Sequence, residues 1–242
     1  MMESYLQRPI AHRGLHCELI PENSLESFLR AQERGFSIEL DVRLSKDGVP
    51  IVFHDKDLSR MTGAKGRVDQ YTLKSLKSLR LCNTKHDIPT LQEVLDAINE
   101  DTTLIIEIKS ETMDFELEKK MSEVLKNSSA QFCIQSFNVF SLKWFRRNFR
   151  YIPLGLLTTD KFDGARINFF KKQVVRYMPF APLVRPDYVG FNHESFSATQ
   201  LNFISQSTNA HILFWTIRSK ADYEKIRRVA DNIIFEGFDP YE

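Results

Sequence analysis

Cysteine is scarce in this chain, and what there is sits far apart. Cys17, Cys82 and Cys133 are the only three among 242 residues, with no CxxC pair and no zinc-type spacing. That argues against a disulfide framework or a thiolate metal site and suits a reducing compartment. Net charge is nearly absent as well: 33 Lys and Arg against 32 Asp and Glu leave +1. No global field draws the chain to nucleic acid, so any anion it binds is met by a local site. No apolar run reaches the length of about 18 residues that a membrane-spanning helix needs. The N-terminal "MMESYLQRP" lacks the basic and then apolar segments of a signal peptide, so a cytoplasmic location is expected. No repeat, low-complexity tract or Gly/Ser linker breaks the chain, and a single domain over 1–242 is expected.

What is present is an alternation of short apolar runs with amphipathic helical patterns, the signature of β/α units. The strand candidates are 9–13, 37–44, 49–54, 104–109, 132–137, 152–157, 188–192, 211–217 and 232–237. "NSLESFLRAQERG" reads as a helix with Asn23 as N-cap, Glu26 at the capping-box position and Gly35 as the stop. "IELDVRLSKDGVPIVFHD" has no helix inside it and reads as a hairpin turning at Asp47-Gly48. Pairing Lys46 with Val49 then sets His54 opposite Asp41, on one face. With that hairpin counted as an extension of the second strand, eight parallel strands remain, the pattern of a (β/α)8 TIM barrel. Residues 56–90 become a small insertion ahead of the third strand.

The polar residues at the strand ends carry chemistry. Glu39 and Asp41 sit two apart and share a face, as do Glu107 and Lys109. Three close carboxylates repel one another unless a cation or protons intervene, and all-oxygen ligation suits Mg2+ or Ca2+. Arg13 and Lys109 offer a fork and a point charge for a phosphate. His12 and His54 can serve as general acid and general base. Each residue also has a plainer reading: a structural histidine, a solvent-facing acid, a local ion pair. Their convergence on one rim favours the joint reading.

The strings "AHRG", "PENS", "IELDVRLSKDGVPIVFHD", "GRVDQYTLKSL", "IPTLQEVL", "IIEIK", "QSF" and "FWTI", in this order, resemble the glycerophosphodiester phosphodiesterase family. The resemblance is dense over 9–109 and thinner to about 217. It implies a TIM barrel, a divalent metal, and hydrolysis of glycerophosphodiesters to glycerol 3-phosphate and an alcohol. It matches His12 and His54 to the catalytic histidines and Glu39, Asp41 and Glu107 to the metal ligands. Arg13 and Lys109 match phosphate-holding residues, Glu22 a position that orders the site, and Trp215 the aromatic bordering the glycerol pocket. Two departures stand at the substrate rim: Arg218 replaces an amide, and Phe235-Glu236 replace the usual eighth-strand residues. Arg218 is expected to pair with Asp222 one helical turn on, the other option being a second anionic group on the leaving alcohol.

His16 and Cys17 read as loop residues, and His86, His193 and His211 as surface or core residues. The basic, aromatic stretch 160–187 reads as a barrel helix, with contact to a lipid or membrane surface as the other option. Two alternatives to the main function stay open: a lysophospholipase D-like activity at a membrane surface, and a catalytically silent barrel that binds phosphorylated ligands or membranes. The sequence leaves the oligomeric state open.

Overall fold

The computed structural model describes residues 5–159 and 169–242. The strands are β1 (Ile10–Ala11), β2 (Ser37–Leu44), β3 (Pro50–Val52), β4 (Leu104–Ile108), β5 (Phe132–Ser136), β6 (Leu154–Thr158), β7 (Tyr188–Asn192), β8 (His211–Ile217) and β9 (Asn232–Phe235). The α-helices are α1 (Leu25–Glu33), α2 (Ser59–Thr62), α3 (Leu73–Lys77), α4 (Leu91–Ala97), α5 (Glu116–Leu125), α6 (Val139–Asn148), α7 (Phe169–Tyr177), α8 (Ala181–Val184), α9 (Ala198–Ser207) and α10 (Lys220–Ile226). Each expected strand is present, and the order of elements is that of a (β/α)8 barrel with a hairpin added to its second strand. No helix among the described residues is long and apolar enough to cross a membrane.

The chain divides into two compact units, Ala11–Phe132 and Met1–Ile10 with Cys133–Glu242. In the first, β2 pairs in parallel with β4, in a register that sets Asp41 beside Glu107. On its other side β2 pairs antiparallel with β3. Six of the eight β2 residues, Ser37 to Val42, are buried, so its two acids lie inside the protein.

The hairpin register differs from expectation by one residue. Val42 faces Val52 and Leu44 faces Pro50, so Ser45 pairs with Val49, its N–H 3.0 Å from the Val49 carbonyl. The loop therefore holds three residues, Lys46 to Gly48, with Gly48 at φ +78° in the left-handed region where glycine is favoured. The extra loop residue puts Phe53 opposite Asp41, and Phe53 N–H donates to the Asp41 carbonyl at 2.9 Å. His54 is not opposite Asp41; it follows the strand.

The first long helix also begins one residue later than expected. Ser24 is the N-cap, its Oγ accepting from Ser27 N–H at 3.2 Å. Asn23 stands at φ +54° and turns its amide elsewhere.

Residues 56–90 pack an apolar cluster of their own beneath β3: Leu58, Met61, Val68, Leu76, Leu81 and Ile88 join Ile51 and Phe53. Burial of these side chains, each contributing ~1.5–3 kcal/mol relative to exposure, holds the short helices of this segment in place.

In the second unit β5 to β9 run in parallel in sequence order. Gly155 lies beside Tyr188 in the β6–β7 register, and a Cβ there would overlap the fully buried Tyr188 ring. Tyr188 Oη lies 3.1 Å from Gln135 Oε1, to which it donates.

Candidate active site

The first unit gathers Arg13, Glu22, Glu39, Asp41, Glu107 and Lys109 around the ends of β1, β2 and β4. Glu39, Asp41 and Glu107 each offer a carboxylate oxygen within 4.8 Å of the others'. All three are buried, at 1%, 1% and 7% exposure. Strand periodicity supplies Glu39 and Asp41, and the β2–β4 register brings Glu107 alongside.

Electrostatics divides these acids. Burial, with repulsion from Asp41 and Glu107, pushes the Glu39 carboxyl well above its ordinary range. Burial also pushes Asp41 up, but Lys109, His54, Arg13 and the Asn23 amide outweigh it and hold Asp41 below the usual carboxylate range. Lys109 Nζ bonds Glu107 Oε1 at 2.5 Å and lies 3.0 Å from Asp41 Oδ1. Burial alone would lower the Lys109 ammonium, yet these two acids raise it, so it stays charged. Asn23 grips Asp41 at two points: its Nδ2 donates to Oδ2 at 2.8 Å, and its Oδ1 accepts from the Asp41 N–H at 3.2 Å.

Arg13 stands at φ +56° just after β1, with its N–H donating to Glu39 Oε2 at 3.0 Å. Its Nη1 donates to Glu22 Oε1 at 2.7 Å, and its Nε lies 3.2 Å from Asp41 Oδ2, an ion pair without hydrogen-bond alignment. Gly14 has to be glycine: at φ +81°, a Cβ would stand 2.7 Å from the Ser27 carbonyl carbon at the start of α1. The "HRG" string therefore works as a turn that packs on α1 and aims Arg13 at the acids. His12, the first residue of that turn, is half-buried.

His54 Nδ1 lies 2.7 Å from Asp55 Oδ1. Burial pushes Asp55 up, but hydrogen bonds from His54 and Arg60 outweigh it and hold the carboxyl below its ordinary range. A carboxylate only accepts, so at this contact Nδ1 carries the proton and donates. Arg60 in turn spans Asp55 and Glu22. Burial pushes Glu22 up as well, but Arg60 and Arg13 hold it down to about 2.

Asn23, Asp55 and Arg60 were not among the expected site residues. Asn23 has the sequence of a helix cap, and its role depends on its positive φ. Asp55 adjoins His54 in "FHD", a signal open to reading. Arg60 looks like any surface arginine.

Trp215, in the second unit, is half-buried on β8 and meets Phe137 edge-on, ring centroids 5.7 Å apart. Arg218 does not pair with Asp222, which bonds Ser219 and Lys225 instead. Its Nη2 donates to Glu236 Oε2 at 3.2 Å. The two departures at the rim are thus partners, joined across the ends of the adjacent strands β8 and β9. Within 160–187, residues 160–168 lie outside the described residues. Of the remainder, Phe169, Tyr177, Phe180 and Leu183 are exposed, while Met178, Ala181 and Val184 are buried.

The model of the Glycerophosphoryl diester phosphodiesterase family matches residues 12–235. A glycerophosphodiester phosphodiesterase of Caldanaerobacter subterraneus is 37% identical over 161 residues, which are 61% of this chain and 65% of that protein. One from Bacillus subtilis is 29% identical over 209 residues, 77% of this chain and 70% of that one. Among solved structures, an Oleispira antarctica phosphodiesterase in complex with the product sn-glycerol-3-phosphate aligns with a TM-score of 0.80 at 26% identity. That alignment covers 96% of this chain and 94% of the other. A glycerophosphodiester phosphodiesterase of Thermotoga maritima gives 0.72 at 28% identity, covering 93% and 92%. These likenesses, with the order of elements, make the fold a (β/α)8 barrel.

Proposed function

The chain belongs to the glycerophosphoryl diester phosphodiesterase family, a family of hydrolases, and from that premise we propose that it hydrolyses glycerophosphodiesters to glycerol 3-phosphate and an alcohol with the help of a divalent metal. The observation that carries this reading is the buried triad Glu39, Asp41 and Glu107, flanked by the cations of Arg13 and Lys109. The donor set fits a hard cation: all ligand atoms are oxygens, and burial with repulsion from Asp41 and Glu107 pushes Glu39 up even beside Arg13 and Lys109. When bound, Mg2+ or Ca2+ would supply Lewis-acid polarisation of the phosphoryl group.

The remaining work falls to the chain's own side chains. Arg13 presents a fork and Lys109 a point charge, which together orient a phosphodiester against the triad. His54, whose Nδ1 donates to Asp55, offers Nε2 as one proton-transfer group, and His12 is the other. Glu22 keeps Arg13 in place. For Trp215, the place beside the glycerol is what the family resemblance implies.

The exposed aromatic side chains of Phe169, Tyr177 and Phe180 support contact with a lipid or membrane surface during catalysis. Three free cysteines support action in a reducing compartment.

The test is turnover of glycerophosphocholine and glycerophosphoethanolamine, read as glycerol 3-phosphate, in Mg2+, in Ca2+ and in EDTA. Product is expected with metal and lost in EDTA and in His12→Ala. Wild-type protein that releases no glycerol 3-phosphate with either metal overturns the reading.

A further inference from the structure

Arg60 sits on α2, and its side chain is about half exposed at 48%. Its contacts are not those of a solvated surface residue. Nη1 donates to Glu22 Oε2 at 2.9 Å and Nη2 to Glu22 Oε1 at 2.7 Å, a two-pronged grip on one carboxylate. Nε donates to Asp55 Oδ2 at 2.6 Å and Nη2 also reaches Asp55 Oδ1 at 3.1 Å. Each of these carboxylates has a second duty. Glu22 Oε1 takes the Arg13 guanidinium, and Asp55 Oδ1 takes the His54 ring. One side chain thus joins two arms of the site that come from distant parts of the chain.

The backbone around Arg60 is anchored well enough to hold that geometry. Leu58 and Met61 on either side are buried in the apolar cluster of residues 56–90. Thr62 Oγ1 donates to the Leu58 carbonyl at 2.8 Å, and Leu58 N–H donates to the Gly66 carbonyl at 3.0 Å.

We propose that Arg60 is a positioning residue that sets His54 and Arg13 relative to each other, making the 56–90 insertion a working part of the active site. It touches neither the reacting atoms nor the acid triad and acts only through Asp55 and Glu22. The proposal rests on the roles given above to His54 and Arg13. A planar fork is required, because two carboxylates are gripped by separate edges of one guanidinium; a lysine ammonium offers a point charge and cannot reproduce both.

The experiment uses the full chain and the variants Arg60→Ala, Arg60→Lys, Asp55→Asn and Glu22→Gln. Arg60→Ala is expected to lose about 10- to 100-fold in kcat/KM on glycerophosphocholine, the range seen when an orienting partner of a site residue is removed. Arg60→Lys recovers only part of it. Asp55→Asn is expected to take the kcat share of the loss, through His54, and Glu22→Gln the KM share, through Arg13. Adding Arg60→Ala to Asp55→Asn then costs little more in kcat, since both act on one ring.

A second measurement needs no substrate. The 15N signals of the His54 imidazole in metal-free protein report a single Nδ1–H tautomer in wild type, and Arg60→Ala shifts them toward a mixture. Wild-type kinetics together with an unchanged His54 signal in Arg60→Ala overturn the proposal, as do fully additive losses in the double variant. If wild type hydrolyses no glycerophosphodiester, the function reading fails, and the His54 signal still decides what Arg60 does.

Discussion

Asn23→Ala is the sharpest probe of how the acid cluster is held. Asn23 is 2% exposed and bonds both the carboxylate and the N–H of Asp41. Alanine removes both partners and leaves Asp41 where it is. A hydrogen bond to a charged group contributes about 1.5–3 kcal/mol, and a buried N–H left without a partner costs about 1–3 kcal/mol. Alanine at φ +54° adds about 1 kcal/mol that asparagine largely avoids. The losses share one residue and do not add fully, so about 3–4 kcal/mol of stability should go. The assay is urea unfolding at pH 7 in EDTA, read by far-UV circular dichroism and extrapolated linearly to water. Asn23→Gly loses the same bonds without the backbone strain and should lie about 1 kcal/mol above the alanine variant. Asn23→Asp sets a second carboxylate oxygen against Asp41. It should be destabilised in EDTA and recover part of the loss in Mg2+ or Ca2+. An alanine variant within about 1 kcal/mol of wild type would refute the claim that Asn23 secures Asp41.

Three further outcomes are expected. Glu22 is held down to about 2 against an ordinary 4.5, so the unfolded chain takes up its proton first as pH falls; the resulting ~3 kcal/mol, at ~1.4 kcal/mol per unit, is present above about pH 5 and lost toward pH 2. Glu22→Gln should flatten the pH dependence of unfolding in that window, and an unchanged slope contradicts it. Gly155→Ala pushes a methyl group into the Tyr188 ring and disturbs its bond to Gln135, for a loss of about 2–4 kcal/mol. Adding Tyr188→Leu should return part of it in thermal unfolding, and a double variant no better than the single one rejects the overlap as cause. Arg218→Asn restores the family's amide and breaks an exposed pair worth at most about 1 kcal/mol. It should lower turnover of diesters with an anionic leaving alcohol relative to glycerophosphocholine, and an unchanged ratio removes Arg218 from substrate choice.

Much of this protein was legible before any fold was drawn. Strand periodicity alone placed Glu39 and Asp41 on one face, and β/α alternation carried the barrel pattern. Both follow from local rules, because a strand alternates its side chains whatever packs against it. The register of the hairpin was not legible. A two-residue and a three-residue loop fit the same "SKDGV" string, and only the pairing of Ser45 with Val49 decided between them. The role of Asn23 was hidden for a similar reason: a polar residue ahead of a helix is a cap by sequence, and the positive φ that turns it to Asp41 belongs to the packed chain. For Arg218 the sequence shows only an i,i+4 neighbour, Asp222, whereas its partner Glu236 comes to it from the end of the next strand. Arg60 is the extreme case. Its distance from Glu22 in the chain is spanned only once the 56–90 segment has buried Leu58 and Met61. Residue type and strand period are local properties, so the acids, histidines and cations offered at the strand ends can be read from the chain alone. Tertiary structure decided which partners hold that chemistry in place, since long-range ion pairs depend on where separately folded segments come to rest.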